Sequence, residues 1–228
     1  HPTVKAIIVG RGGYGTVRII DDIYYGNFLE QPKCIIGYSD ITVLHSHLNH
    51  VMGIGTLHAT MPINFETNTP EALQSLLDAL TGKPLKYSLE SHPLNRLGNA
   101  SGELVGGNLS ILYSLLGTKT LLHTANRILF IEDLDEYLYH IDRMMIALKR
   151  AGKLSQLAGI IVGGMTDMKD NTVSYGKSAE EIILEHVEEY NYPVCFGFPS
   201  GHILDNRALK LGSIAQLNIT EKGVEFNQ

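Results

Sequence analysis

Short apolar runs alternate along this chain with segments whose apolar residues recur at helical spacing. This alternation is typical of an α/β protein with a mostly parallel sheet, because buried parallel strands are apolar throughout and the intervening helices cover the sheet. The pattern predicts strands at 4–9, 33–37, 127–131, 158–163, 193–197, 214–219 and 224–226, and helices at 40–52, 70–82, 109–116, 136–150 and 178–190.

Capping residues mark the starts of two predicted helices. Thr69 precedes Pro70 as a helix cap, and Ser178 with Glu181 forms a capping box. From 83 to 98 the helical periodicity fades while Pro, Asn and Gly accumulate, which indicates a linker. We therefore expect an N-terminal domain at 1–82, a linker at 83–100 and a C-terminal domain at 101–228.

The composition limits the possible classes of protein. The 228 residues are 44% hydrophobic and 18% charged, enough for one large domain or two small ones. A net charge of -6 and a pI near 5.9 argue against a nucleic-acid partner. No apolar run approaches the roughly 18 residues of a membrane span, and the N-terminus lacks the layout of a signal peptide. We therefore expect a cytoplasmic protein without a membrane partner, whose Cys34 and Cys195 are buried free thiols.

Ser39 lies just after an apolar strand, and a helical pattern begins immediately after it. This arrangement places a hydroxyl at the carboxyl edge of the sheet, above helix amides that stabilise an oxyanion. The alternative is that Ser39 or Asp40 only caps the helix. The G-x-S-x-G form is not met, because Ile41 stands at the second glycine position. The local pattern by itself favours a cap and leaves the nucleophile open.

The glycine-rich turn at residues 10–15 allows three interpretations. It can be a plain tight turn, the phosphate cradle of a dinucleotide site, or a set of exposed amides that bind an oxyanion. Gly10, Gly12 and Gly15 fall on the dinucleotide fingerprint, but no acidic residue ends a strand about twenty residues later. The local pattern favours the tight turn, and after it the dinucleotide site.

Two further polar residues follow predicted strands. Glu132 comes directly after the strand at 127–131, where a carboxylate can reach an active-site rim. The alternative assigns the acidic run to the N-terminal end of the next helix, an interpretation stronger for Asp135 and Glu136 than for Glu132. His202 lies in a Gly/Pro loop after the strand at 193–197, a position that often carries function, although a lone loop histidine is more often incidental.

His45, His47 and His50 share one predicted helix among the ten histidines of the chain. Their spacing differs from H-E-x-x-H, and no acidic ligand accompanies them, so a solvated helix face is favoured over a metal site. We expect neither a metal nor a cofactor.

Six ordered segments together resemble the L,D-carboxypeptidases, a serine peptidase family that includes muramoyltetrapeptide carboxypeptidase and the microcin C self-immunity proteins. They span nearly the whole chain and occur in family order. The segments are Arg11–Gly15, Pro32–Thr42, Gly106–Thr118, Ile131–Met144, Gly163–Gly164 and Gly197–His202.

The resemblance implies a catalytic triad. Ser39, in G-Y-S-D-x-T, corresponds to the nucleophile, Glu132, in E-D-x-x-E, to the carboxylate that orients the base, and His202, in G-H, to the general base. The oxyanion hole of the family implies the backbone amides of Gly12 or Gly13 and of Asp40, an assignment that replaces the dinucleotide interpretation of the turn.

The resemblance also implies a fold and a substrate. The fold class is α/β, with an N-terminal Rossmann-like parallel-sheet domain and a C-terminal mixed-sheet domain, so that the triad is completed across their interface. The implied reaction removes the terminal D-alanine from a murein tetrapeptide during cell-wall recycling, without a cofactor and commonly as a homodimer. The alternatives are a microcin C immunity-type hydrolase of aminoacyl-nucleotide analogues and a non-catalytic binding protein on the same fold.

Two departures from the family bear on these expectations. Family members usually carry several dozen residues before the glycine turn, so we expect a shortened N-terminal domain, with one side of its sheet exposed if nothing replaces those residues. The segment His58-Ala59-Thr60-Met61 replaces the His-Gly-Pro-Met common in the family, which we expect to alter one wall of the pocket. The aromatic, tryptophan-bearing loop of the immunity-type relatives has no counterpart, since the chain contains no Trp, and this favours the peptidase.

Overall fold

A computed structural model describes all 228 residues. The strands are β1 (Ala6–Ile8), β2 (Cys34–Gly37), β3 (Thr56–His58), β4 (Lys86–Leu89), β5 (Gly98–Asn108), β6 (Ile128–Leu134), β7 (Gly159–Thr166), β8 (Val194–Cys195), β9 (Leu209–Leu211), β10 (Ser213–Thr220) and β11 (Gly223–Asn227). The helices are α1 (Thr16–Ile19), α2 (Thr42–Met52), α3 (Pro70–Leu80), α4 (Leu109–Ser114), α5 (Leu138–Arg150) and α6 (Ala179–His186).

The first sheet carries the N-terminal strands in the order β1-β2-β3-β9. Strands β1, β2 and β3 are parallel, whereas β9 pairs antiparallel with β3, with Leu211 opposite Thr56 and Leu209 opposite His58. A strand from the C-terminal part of the chain therefore completes the N-terminal sheet.

The second sheet has seven strands in the order β4-β11-β10-β5-β6-β7-β8. Strands β5 to β8 form a parallel half, and β10, β11 and β4 add antiparallel strands on the other side of β5. The mixed α/β class, with parallel strands in both sheets, is as predicted.

The segment 83–100, predicted as a linker, contains strand β4 and the start of β5. Strand β4 has only four residues and lies close to Pro84, so its short apolar pattern gives little signal in the sequence. In the structure it pairs with β11 and forms an edge of the second sheet.

One hydrophobic cluster joins the two sheets. Ile36 and Leu57 of the first sheet pack in the same buried cluster as Leu104 and Phe130 of the second. A second large cluster fills the space between the parallel half of the second sheet and helices α4, α5 and α6. Because packed interiors resist relative displacement, the shared cluster holds one sheet against the other.

Both predicted helix caps are confirmed. The Oγ1 of Thr69 accepts a hydrogen bond from the amide of Ala72 at 3.1 Å. The capping box of α6 is complete, since Ser178 and Glu181 each accept a hydrogen bond from the backbone amide of the other.

The predicted solvated face of helix α2 is wrong for two of its three histidines. His45 is fully buried, and its Nε2 lies 2.9 Å from the carbonyl oxygen of Gly37. His47 is also buried and stacks on the ring of Tyr25, with 5.2 Å between ring centroids. Helix α2 is enclosed on more than one side, so its polar residues face the interior rather than solvent.

None of the helices combines the length and the apolar character needed to cross a membrane. Both cysteines are free, with Cys195 buried and Cys34 partly buried.

Candidate active site

Ser39 occupies a sharp turn between strand β2 and helix α2. Its φ angle is +63°, a left-handed conformation that non-glycine residues seldom adopt and that turns its side chain out of the strand direction. A single 3₁₀ turn at Ser39–Ile41 leads from this residue into α2. The strained serine between a strand and a helix is typical of a nucleophile elbow, even though the second glycine of that motif is absent.

The alternative in which Ser39 or Asp40 caps the helix does not agree with the contacts. Neither the 3₁₀ turn nor α2 has a side-chain cap. The Oδ2 of Asp40 instead accepts hydrogen bonds from the backbone amide and the hydroxyl of Thr16, at 3.0 and 2.7 Å. Asp40 therefore ties the elbow to α1, and the Ser39 hydroxyl has no structural hydrogen bond to maintain.

The glycine turn lies directly against the elbow. A Cβ atom at Gly12 would lie 3.1 Å from Ser39 Oγ, closer than most real Cβ contacts, so glycine permits this approach. The backbone amides of Gly12, Gly13 and Asp40 have no hydrogen-bond acceptor within the protein. Unpaired amides next to a serine hydroxyl are the donors that an oxyanion requires.

The fully buried Glu132 is hydrogen-bonded to His202, which is partly buried. The Nδ1 of His202 donates to Oε2 of Glu132 at 2.6 Å, and the His202 backbone amide donates to the same oxygen at 3.2 Å. A carboxylate that holds Nδ1 fixes the ring orientation and leaves Nε2 available as a base. Gly201, with φ of +111°, permits this approach, since a Cβ there would lie 2.7 Å from Glu132 Cβ.

The position of Glu132 differs in detail from the prediction. Glu132 does not follow the strand but lies within it, because β6 continues to Leu134. The pairing register with β7 shifts between Ile131 and Asp133, which marks an irregularity in the strand at Glu132. The predicted strand ended where the apolar run ended, and buried carboxylates extend it.

The environment raises the pKa of His202 and that of the neighbouring Asp133. Burial lowers the pKa of His202, but the hydrogen bond and charge of Glu132, with the charge of Asp133, outweigh burial and hold that pKa above its usual 6.5. Burial, and then the charge of Glu132, raises the pKa of Asp133 to about 7. Asp133 itself accepts hydrogen bonds from Asn108 Nδ2 at 2.9 Å and from the Ser110 amide at 2.8 Å.

Ser39 and His202 line the same cavity, which has a volume of about 230 Å³. Glu132 lies beneath it, fully buried. The structure thus brings together residues from the two sheets that lie far apart in sequence. Ser39 Oγ and His202 are not hydrogen-bonded to each other here, and such contacts often tighten only when substrate binds. The full lining consists of Arg11, Gly12, Gly13, Tyr38, Ser39, Met61, Ile63, Asn64 and His202.

A second cavity of about 460 Å³ adjoins the first. Tyr38, Asn64 and His202 belong to both, so the two cavities form one cleft. Tyr38 packs edge-on against the His202 ring with 4.7 Å between centroids, and its hydroxyl donates to Asn64 Oδ1 at 3.0 Å. The remaining lining of the second cavity is Thr67, Asn68, Leu134, Thr166, Ile203 and Leu204.

Sequence reasoning missed Tyr38, Asn64 and Asn68 as parts of the cleft. Asn64 ends a 3₁₀ turn at Pro62–Asn64 and Asn68 follows it, in a segment between β3 and α3 that has no periodicity or motif. The available signal was their place after a parallel strand, since such loops gather at the edge of the sheet where ligands bind.

Two buried histidines lie behind the cleft. Burial lowers the pKa of His45 to about 4 and, more strongly, lowers that of His58. Neither ring nitrogen of His58 has a hydrogen-bond partner, and its ring contacts those of Tyr38 and Phe130. Because both rings are neutral, no positive charge stands behind His202 at neutral pH.

No group of three or more His, Cys, Asp or Glu side chains is arranged to hold a metal ion. The polar groups near the Ser39 hydroxyl include the imidazole of His202 with its carboxylate partner, and free backbone amides. This set suits acyl transfer through a serine.

Comparison with known proteins agrees with this geometry. Residues 1–59 match the family described as LD-carboxypeptidase N-terminal domain, and residues 101–217 match the LD-carboxypeptidase C-terminal domain. The chain belongs to the LD-carboxypeptidase family. The resemblance seen in the sequence is confirmed, and the chain is a serine-type carboxypeptidase.

Individual relatives support the same assignment for this LD-carboxypeptidase. It is 37% identical over 224 residues to a Bacillus subtilis protein named "probable murein peptide carboxypeptidase", covering 96% of this chain and 70% of the relative. It is 31% identical over 229 residues to the murein tetrapeptide carboxypeptidase of Pseudomonas aeruginosa, covering 95% and 73%. The solved muramoyltetrapeptide carboxypeptidase of Oxalobacter formigenes superposes with a TM-score of 0.91 at 26% identity, covering 100% of this chain and 78% of that one.

Proposed function

We propose that this LD-carboxypeptidase hydrolyses the amide bond between an L-residue and the terminal D-alanine of a murein tetrapeptide, with Ser39, Glu132 and His202 as its triad. The observation that carries the proposal is the 2.6 Å contact between His202 Nδ1 and Glu132 Oε2, next to a cavity that His202 shares with Ser39. The names of the relatives support the murein peptide as substrate.

The first half of the reaction forms an acyl-enzyme. His202 Nε2 takes the proton of Ser39 Oγ, which attacks the carbonyl carbon of the L-residue. The amides of Gly12, Gly13 and Asp40 donate to the oxyanion that develops. Glu132 stabilises the imidazolium, which then protonates the amine of the departing D-alanine.

The second half releases the shortened peptide. A water molecule takes the place of D-alanine, His202 accepts one of its protons, and the resulting hydroxide attacks the ester carbonyl at Ser39. The same amides donate to the second oxyanion, and protonation of Ser39 Oγ by His202 restores the enzyme.

A fluorophosphonate probe tests the nucleophile. We expect covalent labelling of the wild-type chain and no labelling of Ser39→Ala, because only an activated serine reacts at phosphorus. Ser114→Ala is the control, since the Ser114 hydroxyl donates to the carbonyl oxygen of Ile111 in its own helix and lines no part of the cleft. A folded wild-type protein that the probe leaves unlabelled contradicts the proposed triad.

The substrate is tested by following D-alanine release from a murein tetrapeptide. We expect release by the wild type and its loss in Ser39→Ala. Turnover of an aminoacyl sulfamoyl adenylate, without release of D-alanine from the tetrapeptide, would instead favour the immunity-type hydrolase. The expected role in cell-wall recycling, the cytoplasmic location and the homodimer stay predictions, and the homodimer is tested by sedimentation of the full chain.

A further inference from the structure

A carboxypeptidase has to recognise the free carboxylate at the end of its substrate. Covalent geometry places the carbon of that carboxylate only about 3–4 Å from the scissile carbonyl carbon, because one nitrogen and one Cα separate them. With the scissile carbonyl at Ser39, the group that binds the carboxylate must line the cavity that contains Ser39. This inference therefore rests on the proposed function.

The charges around the cleft single out one side chain. Arg11 is the only Lys or Arg that lines either of the two cavities, and neither cavity is lined by an Asp or Glu. Arg11 is exposed and takes part in no salt bridge, so its guanidinium is free to bind an anion. The second cavity, in contrast, presents amides and hydroxyls such as those of Asn64, Thr67 and Asn68.

Arg11 is also well placed to bind the carboxylate of the D-residue that leaves. Arg11 directly precedes Gly12, whose backbone lies against Ser39, so its side chain begins beside the amides that receive the oxyanion. His202 also borders this cavity, but its Nδ1 is held by Glu132 and its Nε2 is required as the base. Arginine presents a planar fork of donors that matches both oxygens of a carboxylate.

We propose that Arg11 binds the terminal carboxylate of the substrate and thereby restricts this enzyme to the last residue of a peptide. The neutral second cavity then holds the part of the peptide on the L side of the scissile bond. A chain that continued beyond the D-residue would place a neutral amide against Arg11 and lose the ion pair.

The test compares a tetrapeptide that ends in D-alanine with the same peptide ending in D-alanine amide. For Arg11→Gln we expect kcat/KM on the free acid to fall about 10- to 100-fold, because a charge-assisted bidentate pair is lost, and the preference for acid over amide to disappear. Arg11→Lys should keep part of the preference, since the charge remains without the fork. Arg18→Gln, an exposed arginine of α1 outside both cavities, should keep the full preference.

Binding separates this proposal from the proposed function. In the Ser39→Ala background, calorimetry measures the affinity for both peptides without turnover, and adding Arg11→Gln should weaken the acid selectively. An unchanged acid-to-amide ratio in either experiment overturns the role of Arg11. Failure of the wild type to react with fluorophosphonate, together with selective acid binding that needs Arg11, would overturn the triad and leave the carboxylate site supported.

Discussion

Thr42 Oγ1 accepts a hydrogen bond from the backbone amide of Asn108 at 3.0 Å. Thr42 begins the helix that follows Ser39, and Asn108 ends strand β5, where it pairs in register with Glu132. This single contact joins the element that positions the candidate nucleophile to the strand that carries the candidate acid. The distance between the two parts of the proposed triad therefore depends on how closely α2 approaches β5.

Gly107 controls that approach. A Cβ atom at Gly107 would lie 2.5 Å from Thr42 Oγ1, and its φ is +140°. We expect Gly107→Ala to displace α2 and to lower kcat/KM on the tetrapeptide by about 10-fold or more, since a misplacement of about 1 Å can cost 10²-fold. Gly117→Ala is the control, because Gly117 also has a positive φ but a Cβ there meets nothing within 4 Å. Equal activity of the two variants would contradict this dependence.

The pair formed by Glu132 and His202 predicts a pH dependence. If His202 acts as the proposed base it must be neutral, and its raised pKa then places the acid limb of kcat/KM above pH 6.5. In Glu132→Gln, burial still lowers the pKa of His202 while the hydrogen bond to a carboxylate and its charge are gone. We expect kcat/KM to fall by about 10²–10⁴-fold and the remaining acid limb to move to lower pH.

Glu136→Gln serves as the control for that experiment, since Glu136 is paired with His140 instead. Measuring kcat/KM from pH 5 to 9 for the wild type, Glu132→Gln and Glu136→Gln gives both the loss of activity and the position of the acid limb. An acid limb that stays in place in Glu132→Gln would show that Glu132 does not set the pKa of His202.

The left-handed conformation of Ser39 predicts a trade between stability and activity. A side chain in this region costs about 1–2 kcal/mol, whereas glycine adopts it freely but loses about 0.5–1 kcal/mol of chain entropy. We therefore expect Ser39→Gly to be inactive yet more stable to urea than the wild type by about 0.5–1 kcal/mol. Ser39→Ala keeps a Cβ and should be inactive without this gain, so equal stability of the two variants would be evidence against strain at the elbow.

His45 predicts a loss of stability in acid. Its pKa in the folded protein is about 4, mainly because of burial, against 6.5 in the unfolded chain. Between these values the unfolded state binds a proton that the folded state does not, so stability falls as the pH falls below 6.5. The free energy of unfolding falls by up to about 1.4 kcal/mol per pH unit, which amounts to about 2 kcal/mol between pH 6.5 and 5.

The matched variant is His45→Gln, whose amide can still donate to the carbonyl oxygen of Gly37. Urea unfolding at pH 7.5 and at pH 5.0 should show a difference in unfolding free energy that is smaller by about 2 kcal/mol in the variant than in the wild type. His58 contributes in the same direction in both proteins. The same acid sensitivity in the variant and the wild type would contradict the buried neutral state of His45.

The sequence predicted those elements whose signals are local. The parallel strands β2, β6 and β7 are apolar runs, and helices such as α3 and α6 have caps that can be read from a few residues. The short strands β3, β4 and β9 were not predicted, because each has three or four residues and forms only by pairing with strands elsewhere in the chain. Long-range pairing leaves little trace in a short segment of sequence.

The candidate site shows a similar division. Ser39 alone looks like a helix cap in the sequence, and its positive φ appears only in the structure. The buried state of Glu132 could not be read either, since the apolar run ends before it. Only the ordered segments shared with the family linked Ser39, Glu132 and His202 before their positions were known. Asn64 belongs to the cleft through chain geometry that no short motif specifies, whereas Arg11 lies in the glycine-turn segment shared with the family, although that pattern does not show that its side chain lines the cleft.

The antiparallel pairing of β9 with β3 has a consequence for the order of events during synthesis. Thr56 leaves the ribosome long before its partner Leu211, so the first sheet lacks its last strand until residues 209–211 have been synthesised. Contacts of such high sequence separation form late, because the chain must first close a long loop. The nascent chain thus carries the candidate nucleophile Ser39 without His202 and without a completed first sheet until the C-terminal residues have been synthesised and have folded.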